Sequence, residues 1–170
     1  MRGLSDHFQG NGWRRPAPVD AELAAWFGVD LQEFIEVFGC DWRALDDEPH
    51  DWDADPTGGE EALFGPWYLS GEPPQLMFRR LDDDAYELAP PKGVWAGGTH
   101  GLTYRAVDRR SLPRRDFARA HPDRVIKDIL RRRRSQFRYC RYCRALTPPE
   151  LLTGAAECMS CAATYHGVVF

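Results

Sequence analysis

The sequence predicts an α+β chain: a small N-terminal helix pair, a short antiparallel sheet, a basic helix and a C-terminal module closed by cysteines. Three observations lead there. Residues 20–38 carry two short helical patterns divided by glycine, residues 64–108 change to short apolar segments between turn clusters, and residues 140–161 hold two C-x-x-C pairs. The divisions expected are an acidic α+β body over 1–120, a basic helix over 121–136 and the cysteine module over 137–170.

The elements follow in order. Residues 1–18, with Gly3, Gly10, Gly12, Pro16 and Pro18, read as an irregular lead-in. Asp20 is a good N-cap for a helix over 21–27, which Gly28 stops. Asp30 caps a second helix over 31–38, where Leu31, Phe34, Ile35 and Phe38 share one face, and Gly39 ends it. Trp26, Phe27 and Phe34 are candidates for the core between them. Residues 41–62 are acidic and rich in turn formers, and read as a loop. Strands are expected at 67–69, 75–81, 85–88 and 102–107, divided by Gly-Glu-Pro-Pro, Asp-Asp-Asp and Pro-Pro-Lys-Gly turns. Ser111 and Pro113 start a short helix in this reading. A stronger helix begins at Pro122, where the missing N–H costs nothing. Its stripe is Val125, Ile126, Ile129 and Leu130.

The net charge of −4 conceals an asymmetry. Residues 1–104 hold seven Lys and Arg against twenty Asp and Glu, a net of −13. Residues 105–144 hold fifteen against four, a net of +11. The basic segment therefore either meets an external polyanion or folds back on the acidic body. No apolar run reaches the roughly 18 residues of a membrane span, and no signal-peptide pattern opens the chain. The expectation is a cytoplasmic protein without a membrane partner. The abundance of Arg, Ala, Asp and Pro beside two Lys suggests a bacterial origin.

Cys140 and Cys143, then Cys158 and Cys161, form two C-x-x-C pairs with fourteen residues between them. Each pair brings two thiolates to one side of an ion, and two pairs complete a tetrahedral shell for Zn2+. Over about 137–170 the chain resembles the zinc-ribbon class. The resemblance implies a structural zinc site with these four cysteines as ligands and a final strand over 165–170. It is specific for metal and silent on function, because ribbons bind DNA, RNA and proteins alike. Four thiolates leave no open position for a catalytic water. A rubredoxin-type iron site is disfavoured, because Arg144 and Ala162 replace the glycines that follow such pairs. His166 is an alternative ligand, and Cys40 reads as a half-buried packing residue.

Arg131, Arg132, Arg133, Arg134, Arg138 and Arg141 with Tyr142 are the candidate nucleic-acid contacts. Arginine pairs with phosphate oxygens and releases counterions, and Tyr139 and Tyr142 offer faces for unpaired bases. The competing accounts have the stems of the helix arginines covering the core while their heads meet the acidic body, and Arg138, Arg141 and Arg144 offsetting the charge of zinc with four thiolates. Asp51, Asp53 and Asp55 resemble the start of a calcium loop, yet Pro56 and Ala62 stand where its glycine and glutamate belong. No nucleophile motif, phosphate loop or dinucleotide fingerprint is present. The leading expectation is a non-enzymatic adaptor or regulator contacting nucleic acid through the basic helix and first knuckle. The alternatives are an immunity- or defence-type module whose acidic face (Asp46, Asp47, Glu48, Asp51, Asp53, Asp55) meets a basic protein partner, and an enzyme with a site near His50 and His100.

Overall fold

The computed structural model describes residues 18–45, 64–95, 101–115, 117–154 and 156–167. It is an α+β fold built as a sheet between a helical layer and a hairpin. The acidic loop at 46–62, His50 and His100 lie outside the described residues.

Helices α1 (Pro18–Phe27) and α2 (Leu31–Phe38) form the expected pair. Asp30 caps α2, its Oδ1 accepting from the Glu33 N–H at 2.9 Å. Asp20 departs from expectation. The helix opens three residues earlier than expected, at Pro18, whose locked φ suits a first turn. Asp20 thus lies inside α1, fully buried, and its carboxylate accepts from the backbone N–H groups of Asp41 at 3.1 Å and Trp42 at 2.9 Å. It joins the first helix to the chain that follows the second.

Five strands form one antiparallel sheet in the order β1 (Arg43–Ala44), β2 (Trp67–Ser70), β3 (Leu76–Arg80), β4 (Ala85–Ala89) and β7 (Arg110–Pro113). Alternate residues point to opposite faces. Tyr68, Leu76, Phe78, Tyr86 and Leu88 meet Leu23, Phe34, Phe38 and Trp42 on the helical side. Trp67, Leu69, Met77 and Ala89 pack on the other side with Tyr104. That residue belongs to a separate hairpin, β5 (Pro91–Trp95) with β6 (Leu102–Ala106). Both faces are covered, which is why β2, β3 and β4 are buried almost continuously rather than alternately.

Three strand assignments differ from the sequence reading. Arg43 and Ala44, expected within the 41–62 loop, form the edge strand β1 because they pair with Leu69 and Tyr68 of β2. Ser111 and Pro113 lie in β7, where Ser111 pairs with Glu87 and Pro113 with Ala85; the short helix α3 (Phe117–Ala120) starts later. Pro113 ends the strand at the sheet edge, a position that tolerates a missing N–H. The Pro-Pro-Lys-Gly segment is strand rather than turn. Pro91 opens β5, and Gly93 sits where a Cβ would lie 2.4 Å from Cγ of Glu150. Only glycine allows that approach.

Helix α4 (Pro122–Ser135) lays Ile126 and Ile129 into the helical-side core, with Val125 and Leu130 beside them. The stripe continues through Arg133, which is 2% exposed. Its guanidinium pairs with the carboxylate of Glu150, and its Nε donates to the Pro74 carbonyl at 3.3 Å. Glu150 lies on a 3-10 turn, Pro149–Leu151, of the cysteine module. A single buried pair thereby joins α4, the loop before β3 and the module. Among the described residues no helix is long and apolar enough to cross a membrane.

Arg133→Ala leaves a buried carboxylate alone and should cost about 3–5 kcal/mol of unfolding free energy, whereas the double change Arg133→Met with Glu150→Leu should recover most of it. Denaturant titration at constant metal checks this. An equal loss in both would mean that the pair is not the joint described.

Candidate metal centre

The module begins with β8 (Arg138–Tyr139) and β9 (Leu146–Thr147), an antiparallel pair around Cys140 and Cys143. The turn between them is tight. The Cys140 N–H donates to the Ala145 carbonyl at 2.9 Å, and the Arg144 N–H to the Cys140 carbonyl at 3.0 Å. Arg144 has φ of 62°, the left-handed conformation that glycine adopts most easily. The knuckle geometry is therefore reached despite the arginine.

After the 3-10 turn come β10 (Leu152–Thr153) and β11 (Glu157–Cys158), then helix α5 (Met159–His166). Cys158 stands at the N-cap of α5, and Cys161 lies in its first turn. The expected final strand over 165–170 is thus replaced, as far as His166, by helix. Ala162 and Ala163, strong helix formers, sustain it, while the Thr164 hydroxyl finds an acceptor in the Ser160 carbonyl at 2.8 Å. Gly167, at φ of 65°, ends it in the left-handed conformation usual after a helix.

The four sulfurs converge. All lie within 4.8 Å of one another, and Cys143 and Cys158 approach to 3.7 Å. Tetrahedral thiolates around an ion at about 2.3 Å stand about 3.8 Å apart, so the arrangement fits a zinc-ribbon-like module that can hold a metal ion. The environments of the sulfurs differ. Cys140 is fully buried and its sulfur accepts the Cys158 N–H at 3.3 Å. That bond, with those from the Cys143 and Tyr142 backbone, brings its thiol down to about 6. Burial, reinforced by the neighbouring sulfurs, pushes Cys161 up to about 12. Backbone hydrogen bonds thus favour the thiolate at Cys140, whereas burial and the neighbouring sulfurs disfavour it at Cys161, a charge that a cation would offset.

Around the cluster runs a polar network. Glu157 Oε1 accepts from Arg141 at 2.5 Å, and Glu157 Oε2 lies 3.2 Å from His166 Nε2. Tyr142 Oη contacts that same histidine nitrogen at 3.2 Å and accepts from Arg141 at 2.7 Å. His166 is engaged here and is not among the four converging ligands. The tyrosine also lies against Tyr165, ring centroids 4.8 Å apart. The first knuckle and the last turn of α5 are thus clasped outside the sulfurs.

The remaining candidate residues separate into distinct environments. Arg131 and Arg132 are exposed and both reach Asp128 on their own helix, at 2.5 and 3.0 Å. Arg134 Nε contacts Gln75 Oε1 at 2.5 Å. Arg138 donates to the carbonyls of Ser135 at 2.7 Å and Phe137 at 2.9 Å, satisfying the open end of α4. Arg133 must be withdrawn from the exposed set, because burial and the Glu150 pair consume it. Tyr142 is 39% exposed, and Tyr139 stands out at 65%. Cys40 is exposed rather than half-buried, and desolvation with the Asp41 and Asp20 charges raises its thiol, which argues against nucleophilic use. The acidic-face residues Asp46, Asp47, Glu48, Asp51, Asp53 and Asp55 lie outside the described residues. Glu150, Glu157 and Gly93 are the structural residues that pattern reading does not find. A glycine inside a strand pattern is the available signal for one of them.

Arg144→Gly relieves a left-handed arginine and should raise the stability of the metal-loaded protein by about 1 kcal/mol; a thermal melt that falls would show that the arginine side chain holds the knuckle. Cys140→Ser should abolish stoichiometric metal retention, measured by elemental analysis after gel filtration. No family model, curated protein or solved structure matches the chain, so its site is read from its own chemistry.

Proposed function

We propose that the ion is Zn2+ in a structural role, and that the protein is a non-enzymatic adaptor or regulator contacting nucleic acid through α4 and the first knuckle. The zinc assignment follows from the donors. Four thiolates in tetrahedral reach suit zinc and leave no position for a catalytic water. The ion supplies folding energy to a segment too small to bury a sizeable core.

The nucleic-acid assignment is carried by one observation: exposed tyrosines alternate with exposed arginines on the knuckle, as Tyr139, Arg141, Tyr142 and Arg144. Cations that meet phosphates, interleaved with rings that stack on bases, suit a single strand. The same segment continues into Arg131, Arg132 and Arg134 on α4. Over 122–144 nine Lys and Arg stand against Asp123 and Asp128 alone, a net of +7. Both carboxylates are engaged within the helix, Asp123 by Lys127 and Asp128 by Arg131 and Arg132. A phosphate chain competes for these guanidinium groups only against exposed ion pairs, each worth at most about 1 kcal/mol.

Fluorescence anisotropy with labelled single-stranded RNA and DNA checks the reading. Affinity should fall steeply with salt. Changing Arg131, Arg132 or Arg134 to Gln leaves one phosphate without its cation, and each change should flatten the salt slope by about 0.7. Tyr139→Ala should cost about 1–3 kcal/mol of binding with the slope intact. Absence of binding at low salt ends the proposal. Elemental analysis should find one zinc per chain, and uptake at neutral pH should release protons, Cys161 contributing one.

A further inference from the structure

A cavity of about 480 Å³ lies where three parts of the fold meet: the start of the β5–β6 hairpin, the C-terminal half of α4 and the 3-10 turn of the module. Its walls are held together by specific contacts. Gly93 admits Glu150 against the hairpin backbone, Trp95 Nε1 donates to the Glu150 carbonyl at 3.0 Å, and Arg133 pairs with the same glutamate from α4. The space is therefore built by the fold rather than left between loose surfaces, and its size is that of small-ligand sites.

The lining is chemically mixed in an ordered way. Pro90, Pro91 and Pro149 supply flat apolar surface. Arg133 and Glu150 neutralise one another within the wall. Lys92 and Arg132 are the remaining cations of the lining, beside the carboxylate of Asp108; Arg132 also holds Asp128 of its own helix in an exposed ion pair at 3.0 Å, which a phosphate can displace. Gln136 adds an amide that both donates and accepts. Asp108 is held at φ of 48°, a strained conformation for a residue other than glycine. Arg132 belongs at once to this lining and to the exposed face of α4, so the cavity adjoins the proposed strand-binding face.

The geometry points to a mononucleotide-sized subsite that takes one unpaired nucleotide of a bound strand, its phosphate at Lys92 and Arg132 and its base between the prolines and Gln136. Apolar plates suit a heterocycle, an amide suits a base edge, and paired cations suit a phosphate. The inference rests on the nucleic-acid reading and adds to it a defined pocket and ligand class.

Isothermal titration of the full-length, metal-loaded protein with the four nucleoside monophosphates, with inorganic phosphate and with a single-stranded oligonucleotide tests it. At least one monophosphate should bind about tenfold or more tightly than phosphate, since the base adds apolar burial and a hydrogen bond. Gln136→Ala should weaken that ligand about fivefold and Lys92→Glu about tenfold, with circular dichroism unchanged. Monophosphates that bind no better than inorganic phosphate, or that are indifferent to both changes, overturn the subsite. If the oligonucleotide still binds in that case, the adaptor reading stands without the pocket. If neither ligand binds, both fall together.

Discussion

The buried pairing of Arg133 with Glu150 is the constraint on which the arrangement of this molecule depends. The cysteine cluster converges within the module, but it does not say where the module sits. That is decided by a guanidinium emerging from the buried stripe of α4 and a carboxylate presented by a 3-10 turn, with the Pro74 carbonyl and the Phe137 ring completing the surroundings of the arginine. An ion pair removed from water tolerates little displacement, because either partner alone carries the full cost of desolvation. Gly93 extends the same joint to the β5–β6 hairpin by letting its backbone approach the glutamate side chain. Three parts of the chain are thus located relative to one another by one carboxylate.

Within the module two scales of interaction divide the work. The sulfurs bring two distant pairs of chain positions together, one from a hairpin turn and one from a helix start. Backbone N–H groups point at Cys140, which lowers the electrostatic cost of assembling negative charge there. Outside this shell, Glu157 gathers Arg141 and His166 and so ties the first knuckle to α5. These outer contacts are exposed on at least one side and contribute orientation more than stability.

The charge asymmetry of the chain resolves into several local arrangements. Arg79 pairs with Glu87 inside the sheet at 2.8 Å, and Arg80 reaches Glu22 on α1 at 2.6 Å. Arg133 is consumed by the module, and Arg138 closes the end of α4. What remains outward is a narrower set than the composition suggests: Arg131, Arg132, Arg134, Arg141 and Arg144 beside Tyr139 and Tyr142. Local structure has thus withdrawn some of the cations expected on that face and left those nearest the knuckle. A protein of acidic overall balance can present a cationic strip in this way, because the screening length in physiological salt is only about 8 Å.

The sequence by itself determined the helix pair, most strands of the sheet, the apolar stripe of α4 and the four converging cysteines. Each of those depends on short-range patterns: a cap three residues from its N–H, glycine after a helix, apolar spacing, ligand spacing. Tertiary structure decided the rest. Asp20 became a buried acceptor because α1 lies against the chain at Asp41 and Trp42, positions 21 and 22 residues away that no local rule connects. The Pro91 segment became strand because a distant residue, Tyr104, pairs with Gly93 across the hairpin. Tyr165 and His166, expected in a final strand, end helix α5 instead, since Ala162 and Ala163 favour helix and Gly167 terminates it. Arg133 shows the limit most plainly. Its neighbours in sequence are exposed cations, and only the arrival of Glu150 from the module makes burial of its charge tolerable.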